Sequence, residues 1–283
     1  MPLVAMAELL QHASAHGYAV PAFCVWNLET ARAVLETASR LCSPVILMHG
    51  PGEIGLLRPA EIAPAVRPLA ERYDVPAALH LDHGDSVELV EEYLAAGFTS
   101  VMLDFSTRPY AENAAALRRV AELAHPLGVT VEGELGHVGR TTDETVEGTH
   151  DSTLTDPEEA AAYVAETGVD ALAVSIGNAH GHYTHLPRLD FGRLSLIRQR
   201  VRVPLVLHGG SGTPEEDLRR AISLGIAKVN VATDLVTAYR QSLLDQWSAG
   251  RHPWVPMAIA EAVRASAAVV EQWFHRLGAV GQA

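Results

Sequence analysis

Eight short apolar runs rich in β-branched residues alternate along this chain with longer segments whose apolar residues recur at helical spacing, and Gly, Pro or Asp punctuates the joins. Such alternation is the signature of repeated βα units. The runs predict strands at residues 18–24, 45–48, 77–81, 100–103, 130–133, 171–174, 205–207 and 226–229. Helices then fill 28–41, 60–72, 87–96, 112–124, 158–166, 191–199, 215–223 and 234–247. Two starts carry capping chemistry: Asp156-Pro157-Glu158-Glu159 and Thr213-Pro214-Glu215-Glu216 each place a cap residue, a Pro at the first helical position and a Glu two residues on. Eight strands and eight helices in about 250 residues match a (β/α)8 TIM barrel, a doubly wound open sheet being the alternative. No shift of composition marks a boundary, so residues 1–283 read as one domain, with a C-terminal helical extension over about 250–283 whose helix is 257–277. The one long loop, 135–155, is rich in Gly, Thr, Asp and Glu; loops of that length are usually lids or mobile tips.

With 48% hydrophobic residues in 283, the chain can fill a large core. Its net charge of −13 argues against nucleic acid as a partner, because an acidic surface repels a phosphate backbone. Cys24 and Cys42 provide neither a disulfide framework nor a Cys-x-x-Cys metal or redox motif, which fits a reducing cytoplasm. The first twenty residues lack a basic segment before an apolar one, and no uncharged apolar run approaches the roughly 18 residues of a membrane span. A cytoplasmic protein without signal peptide or membrane anchor is expected.

In a (β/α)8 barrel the active site lies at the carboxyl ends of the strands. Five successive predicted strands carry His, Asp or Glu just there: His80-Leu81-Asp82-His83-Gly84, then Asp104, then Glu134, then Gly177-Asn178-Ala179-His180-Gly181, then His208-Gly209-Gly210-Ser211-Gly212. A single histidine after a strand is more often a hydrogen-bonded structural residue; three converging on one mouth are harder to explain so. Three neutral imidazoles around an open position are a common catalytic-zinc arrangement, whereas a structural site is closed by a fourth protein ligand, often Cys. His83, His180 and His208 are therefore the expected ligands of one Zn2+ ion. His80, earlier in its strand, reads as barrel filling or as support behind a ligand. Asp104 and Glu134 read as partners of the ligands or as alternate ligands.

Phosphate in this fold is commonly bound by the loops after the seventh and eighth strands, where glycine lets backbone N–H groups approach an anion and a helix N-terminus adds its dipole. Gly209-Gly210-Ser211-Gly212 and Asn230-Val231-Ala232-Thr233 occupy those places. Tight βα turns need glycine anyway, so the pairing of two such loops carries this reading.

At these residues the chain resembles the class II fructose-bisphosphate aldolase family, within it the branch of tagatose-bisphosphate and related ketose-bisphosphate aldolases. The likeness runs from Tyr18 to about Asp234, and its most specific pieces are 80–84, 100–104, 131–136, 177–181, 206–212 and 228–234. The resemblance implies a lyase that reversibly cleaves a ketose phosphate or bisphosphate to dihydroxyacetone phosphate and an aldehyde, through an enediolate stabilised by zinc, with a monovalent cation as a further ligand of the family and a homodimer or homotetramer as its assembly. It implies that His83, His180 and His208 bind zinc, that Asp82 is the general acid/base on the aldehyde-derived oxygen, and that Gly181, Gly209, Ser211, Asn230 and Thr233 serve the dihydroxyacetone phosphate site. Ala232 resembles the tagatose branch, where the fructose branch has Asp.

The chain also departs from the family. Relatives have Asn where Cys24 ends the first strand, Ser or Thr near His49-Gly50, and Gly-Arg-Ala where this chain reads Gly281-Gln282-Ala283, positions that belong largely to the aldehyde and its phosphate. In the 135–155 loop relatives read Gly-Gly-x-Glu-Asp, against Gly139-Arg140-Thr141-Thr142-Asp143 here; Asp143 or Glu144 would have to replace the Glu that assists proton abstraction. These departures point either to an aldolase for a non-standard aldehyde or to a catalytically silent subunit that stabilises a partner aldolase. A zinc amidohydrolase, the other metal-barrel rival, needs His-x-His after the first strand, where this chain has Ala22-Phe23-Cys24.

Overall fold

The computed structural model describes residues 3–140, 153–181, 183, 186–251 and 254–283. Its eight strands are β1 (Val20–Cys24), β2 (Val45–His49), β3 (Ala77–Gly84), β4 (Ser100–Leu103), β5 (Thr130–Leu135), β6 (Ala171–Val174), β7 (Leu205–Leu207) and β8 (Ile226–Val231). They pair in parallel in sequence order, and β8 returns to β1 with Val20 opposite Lys228 and Phe23 opposite Val231, closing a barrel. Both faces of each strand are covered, which is why the strands read as continuous apolar runs rather than as alternating ones. This is a TIM barrel, and the doubly wound alternative is set aside. The sequence reading matched β4, β6 and β7 to the residue; it ended β3, β5 and β8 early, because each continues into the polar residues of the site.

Among the described residues the α-helices are α1 (Met6–His16), α2 (Leu28–Arg40), α3 (Pro59–Tyr73), α4 (Val87–Ala96), α5 (Tyr110–Ala124), α6 (Pro157–Thr167), α7 (Phe191–Arg200), α8 (Glu215–Ser223), α9 (Thr233–Ser248) and α10 (Val255–Arg276). Asp156 caps α6 as expected, accepting from the Glu158 and Glu159 N–H groups at 2.8 and 3.1 Å. Thr213 does not cap α8: Pro214 is itself the residue before the first turn, with ψ near 144°, and no side chain caps that end. The helix absent from the sequence reading is α1. It plugs the N-terminal end of the barrel, where Val4 N–H donates to Ala77 O, Ala7 N–H donates to Thr130 Oγ1, and Met6 is fully buried.

The C-terminal extension is integral to the barrel wall. α10 packs against β1 and between α2 and α8, placing Phe274 edge-on to Phe23 and burying Trp273. α9 packs mainly on α10, with only Leu235 and Gln246 buried. The two helices form an antiparallel arm at the barrel's edge that leaves Leu244, Trp247, Trp254, Val255 and Met257 exposed.

Candidate active site

Asp82 and His83 are neighbours, and in a regular strand they would face opposite sides. The β3–β4 register slips between Leu81 and Gly84, and His83 adopts a left-handed conformation with φ of 51°. Bulges of this kind re-aim side chains next to active sites, and a non-glycine residue at positive φ is held there only by its surroundings. Both side chains consequently reach the barrel mouth. Asp82 Oδ1 accepts from the Asn230 amide at 2.9 Å, and His83 Nδ1 pairs with Asp104 Oδ2 at 2.8 Å.

His180 and His208 complete the cluster. The ring centroids of His83 lie 4.9 Å from His180 and 4.6 Å from His208, and one nitrogen from each ring falls within 4.8 Å of the others. Asp104 holds His83 through Nδ1, so its buried Nε2 has no partner. Glu132 holds His208 through Nε2 at 2.9 Å, so its buried Nδ1 has none either and only faces Glu134 Oε2 at 3.3 Å. Burial holds His180 well below the usual histidine range, hence neutral. Buried, unpartnered imidazole nitrogens converging on one point cost free energy unless something binds there. A divalent cation of the imidazole-preferring class fits this donor set. His83, Asp104 and Glu134 form a second close group, their candidate ligand atoms within 4.8 Å of one another.

The electrostatics describe a site built around a cation. Against the cost of burial, the Glu132 carboxylate at Nε2 and the nearby Glu134 carboxylate push His208 up to about 10. His83 is likewise raised, burial being outweighed by Asp82 and Asp104. Burial would raise the Asp82 carboxyl, yet the neighbouring histidines and Lys228 hold it below the usual range. A metal at the three nitrogens would supply the positive charge that protons otherwise bring. His80 stands apart from this cluster. It fills the barrel interior, bonded to Ser100 Oγ at 2.8 Å, and burial, with Lys228 beside it, lowers it to about 3.

A buried layer that sequence reasoning missed lies beneath the three histidines. Lys228 Nζ donates to both oxygens of Glu132 at 3.1 and 2.8 Å, and Glu132 in turn holds His208. All three residues are fully buried. The available signal was the spacing: Glu132 and Glu134, two apart on one strand, face the same side.

The loops after β6, β7 and β8 are joined to one another. Gly209 has φ of 63°, and a Cβ there would come 2.0 Å from Ala179 O. Gly210 N–H donates to Asn230 O at 3.0 Å, and Ser211 Oγ accepts from Asp234 N–H at 3.1 Å in the first turn of α9. Ala232 offers that helix no side-chain cap, and Thr233 is its first residue. Gly181, at φ of 102°, follows His180 on the β6 loop, and Val231 is buried as the last residue of β8, offering only its backbone.

The departures from the family fall in different places. Cys24 and Gly50 end β1 and begin the loop after β2, on the same side as Asp82, and Glu53 joins them: it accepts from Cys24 Sγ at 3.2 Å and from Gly50 N–H at 3.0 Å. Gln282 lies at the opposite end of the barrel. Gly281 N–H donates to Leu41 O and Ala283 N–H to Cys42 O, just before β2, so Gln282 does not line this chain's own site as the sequence reading placed it. Thr141, Thr142, Asp143 and Glu144 lie outside the described residues; the near end of their loop is pinned by His180 N–H donating to Gly139 O at 2.8 Å.

A parallel barrel whose strand ends converge three histidines and an ionised carboxylate at one mouth is a metal-dependent TIM-barrel enzyme. The chain belongs to the class II fructose-bisphosphate aldolase family, whose sequence model it matches over residues 4–282, and it is therefore a lyase of a metal-dependent family. Among solved structures it is similar to the YdjI aldolase from Escherichia coli K12, with 34% identity, 99% of each chain covered and a TM-score of 0.89. It is also similar to the fructose-bisphosphate aldolase (Fba) from Campylobacter jejuni, with 25% identity, 100% of this chain and 97% of that one covered, and a TM-score of 0.85. Among the described residues no helix is long and apolar enough to cross a membrane.

Proposed function

We propose that the chain is a zinc-dependent aldolase that reversibly cleaves a ketose phosphate to dihydroxyacetone phosphate and an aldehyde, with His83, His180 and His208 as the zinc ligands and Asp82 as the general acid/base. The observation that carries this reading is the pair of unpartnered ring nitrogens, His83 Nε2 and His208 Nδ1, converging with His180 beside a carboxylate whose Oδ1 is fixed by Asn230. A bound zinc ion supplies Lewis-acid polarisation of the ketone, worth several kcal/mol.

The remaining work falls to the chain's own side chains. In the cleavage direction Asp82 accepts the proton of the fourth-carbon hydroxyl as the bond between the third and fourth carbons breaks and its electron pair passes into the donor half. In condensation it returns that proton to the aldehyde-derived oxygen. Its lowered pKa keeps it a base at neutral pH, and the Asn230 amide fixes its rotamer. On the donor side, the N-terminus of α9 and the backbone of Gly209 to Gly212 provide an anion site of the kind that binds phosphate.

The test is direct. Zinc should copurify at one ion per chain, a chelator should abolish aldol cleavage, and His208→Ala should lose most of the metal. Asp82→Asn should keep the metal and lose cleavage by about 10²-fold or more. Full activity in metal-free protein, or an Asp82 variant within a few fold of wild type, would reject the mechanism. Turnover by the purified chain alone separates this reading from that of a silent stabilising subunit. The exposed apolar residues of the α9–α10 arm support a homodimer or homotetramer, burying Trp247 and Trp254.

A further inference from the structure

The donor half of the site is accounted for by β7, β8 and the start of α9, and the metal-ligand set by β3, β6 and β7. Asp82 turns from β3 toward Asn230 on β8. The sector left for the aldehyde is the ends of β1 and β2, and the charged side chain fixed there is Glu53. Its Oε1 accepts from the Cys24 thiol and its Oε2 from Gly50 N–H. Gly50 lies against the Asp82 backbone so closely that a Cβ would come 2.3 Å from Asp82 O. Glu53 is thus tied to two rigid strand ends beside the general acid/base. Burial and Glu53 together push the Cys24 thiol well above its usual range, so Cys24 stays a neutral donor and leaves the carboxylate charge uncompensated. Among the described residues no Lys, Arg or His forms an ion pair with Glu53.

We propose that Glu53 sets acceptor specificity: its carboxylate disfavours an aldehyde that carries a terminal phosphate and favours an uncharged, hydroxylated one. This rests on the aldolase reading above and gives it a substrate class, a ketose 1-phosphate rather than a 1,6-bisphosphate. A phosphate monoester carries about −1.5 to −2 charges near neutral pH, and placing it beside a fixed carboxylate is repulsive where bulk water is partly excluded. A terminal hydroxyl, in contrast, donates a charge-assisted hydrogen bond to the same oxygens. Gln282 offsets nothing here, being an uncharged amide at the far end of the barrel. A cation on the same groove is Arg240 of α9, which with Glu53, Trp26, Leu56, Tyr239 and Trp247 lines a space of about 390 Å³.

The experiment compares kcat/KM for a ketose 1-phosphate and the matching 1,6-bisphosphate, using the full-length zinc-loaded wild type, Glu53→Gln and Glu53→Lys. The wild type should favour the monophosphate or show a ratio within about tenfold. The bisphosphate-to-monophosphate ratio should rise by about tenfold or more in Glu53→Gln, which can still accept from Gly50, and further in Glu53→Lys. In the wild type the discrimination should shrink as salt is raised, because screening weakens charge repulsion while leaving packing alone. A ratio indifferent to the charge at position 53, or a hundredfold wild-type preference for the bisphosphate with Arg240→Gln abolishing it, overturns the assignment. Solvent exchange of the dihydroxyacetone phosphate C–H by the wild type, with no aldehyde present, checks the donor half separately. Its absence rejects the aldolase reading and Glu53's role with it, whereas exchange with an unmoved ratio rejects Glu53 alone.

Discussion

At the scale of single residues, the site depends on charges buried in pairs. Lys228 and Glu132 are both fully buried, and Glu132 fixes the tautomer of His208 by accepting at Nε2, which leaves Nδ1 for a metal. Removing one member of a buried pair strands the other, so Lys228→Met should lower stability by about 3–5 kcal/mol in urea unfolding. Glu132→Gln should weaken zinc binding by about 10- to 100-fold in a competition titration, the usual effect of losing the group that orients a ligand; unchanged affinity would remove Glu132 from that role. His49 gives a pH signature. It is fully buried against Tyr93, its Nδ1 within 2.7 Å of the phenol oxygen, and burial lowers it from 6.5 to about 4. Between those values the unfolded chain binds a proton that the folded one refuses. Stability therefore falls as pH drops from 6.5 and levels off below about 4, by on the order of 3 kcal/mol for a shift of this size. His49→Gln should flatten that part of the curve in urea titrations; parallel curves would show that other groups carry it.

At the scale of elements, short joints position the chemistry. The slip in β3 turns Asp82 and His83 toward one mouth, and the β7 loop can pass under the β6 loop only without a side chain at Gly209. Gly209→Ala would place a methyl group within 2.0 Å of Ala179 O at a positive φ. It should cost several kcal/mol or displace His180 and His208, read as lost zinc together with a lower Tm. Gly50→Ser, the kind of residue relatives carry nearby, should not restore a familiar specificity here, because its Cβ would collide with Asp82 O. An expected drop in kcat/KM toward every acceptor distinguishes that collision from a selective effect. The Asp156 cap is a simpler joint, and Asp156→Ala should cost about 1 kcal/mol.

At the scale of the whole molecule, the barrel gathers three histidines at one end and carries an apolar arm at its edge. Zinc bound only by the folded state stabilises it by RT ln(1 + [Zn]/Kd), about 4 kcal/mol at a thousandfold excess over Kd. Chelation should accordingly lower Tm in calorimetry, and His208→Ala should abolish the difference between metal-loaded and metal-free protein. Trp247 and Trp254 are 51% and 68% exposed on the arm, apolar surface that a second copy of the chain would cover. Sedimentation should find a dimer or tetramer, and Trp247→Glu with Trp254→Glu should shift it toward monomer; a wild-type monomer at micromolar concentration would refute the arm as an interface.

The barrel and the histidine cluster at its mouth were legible in the sequence because both obey local rules. Strands buried on two faces must be apolar runs, and residues just past their ends must point at one mouth, so His83, His180, His208, Asp104 and Glu134 could be gathered by position, while the role of Asp82 came from the family resemblance. Helix α1 was not legible, since a plug at the barrel floor has the periodicity of any amphipathic segment and nothing in its residues says what it covers. Gln282 was misplaced for the related reason that a chain end carries no periodicity to locate it. The Lys228–Glu132–His208 layer, the β3 bulge and the junction of Cys24, Gly50 and Glu53 were decided only by tertiary structure. Each joins residues far apart in the chain through distances of a few ångströms, and those distances exist only once eight strands have closed on one another.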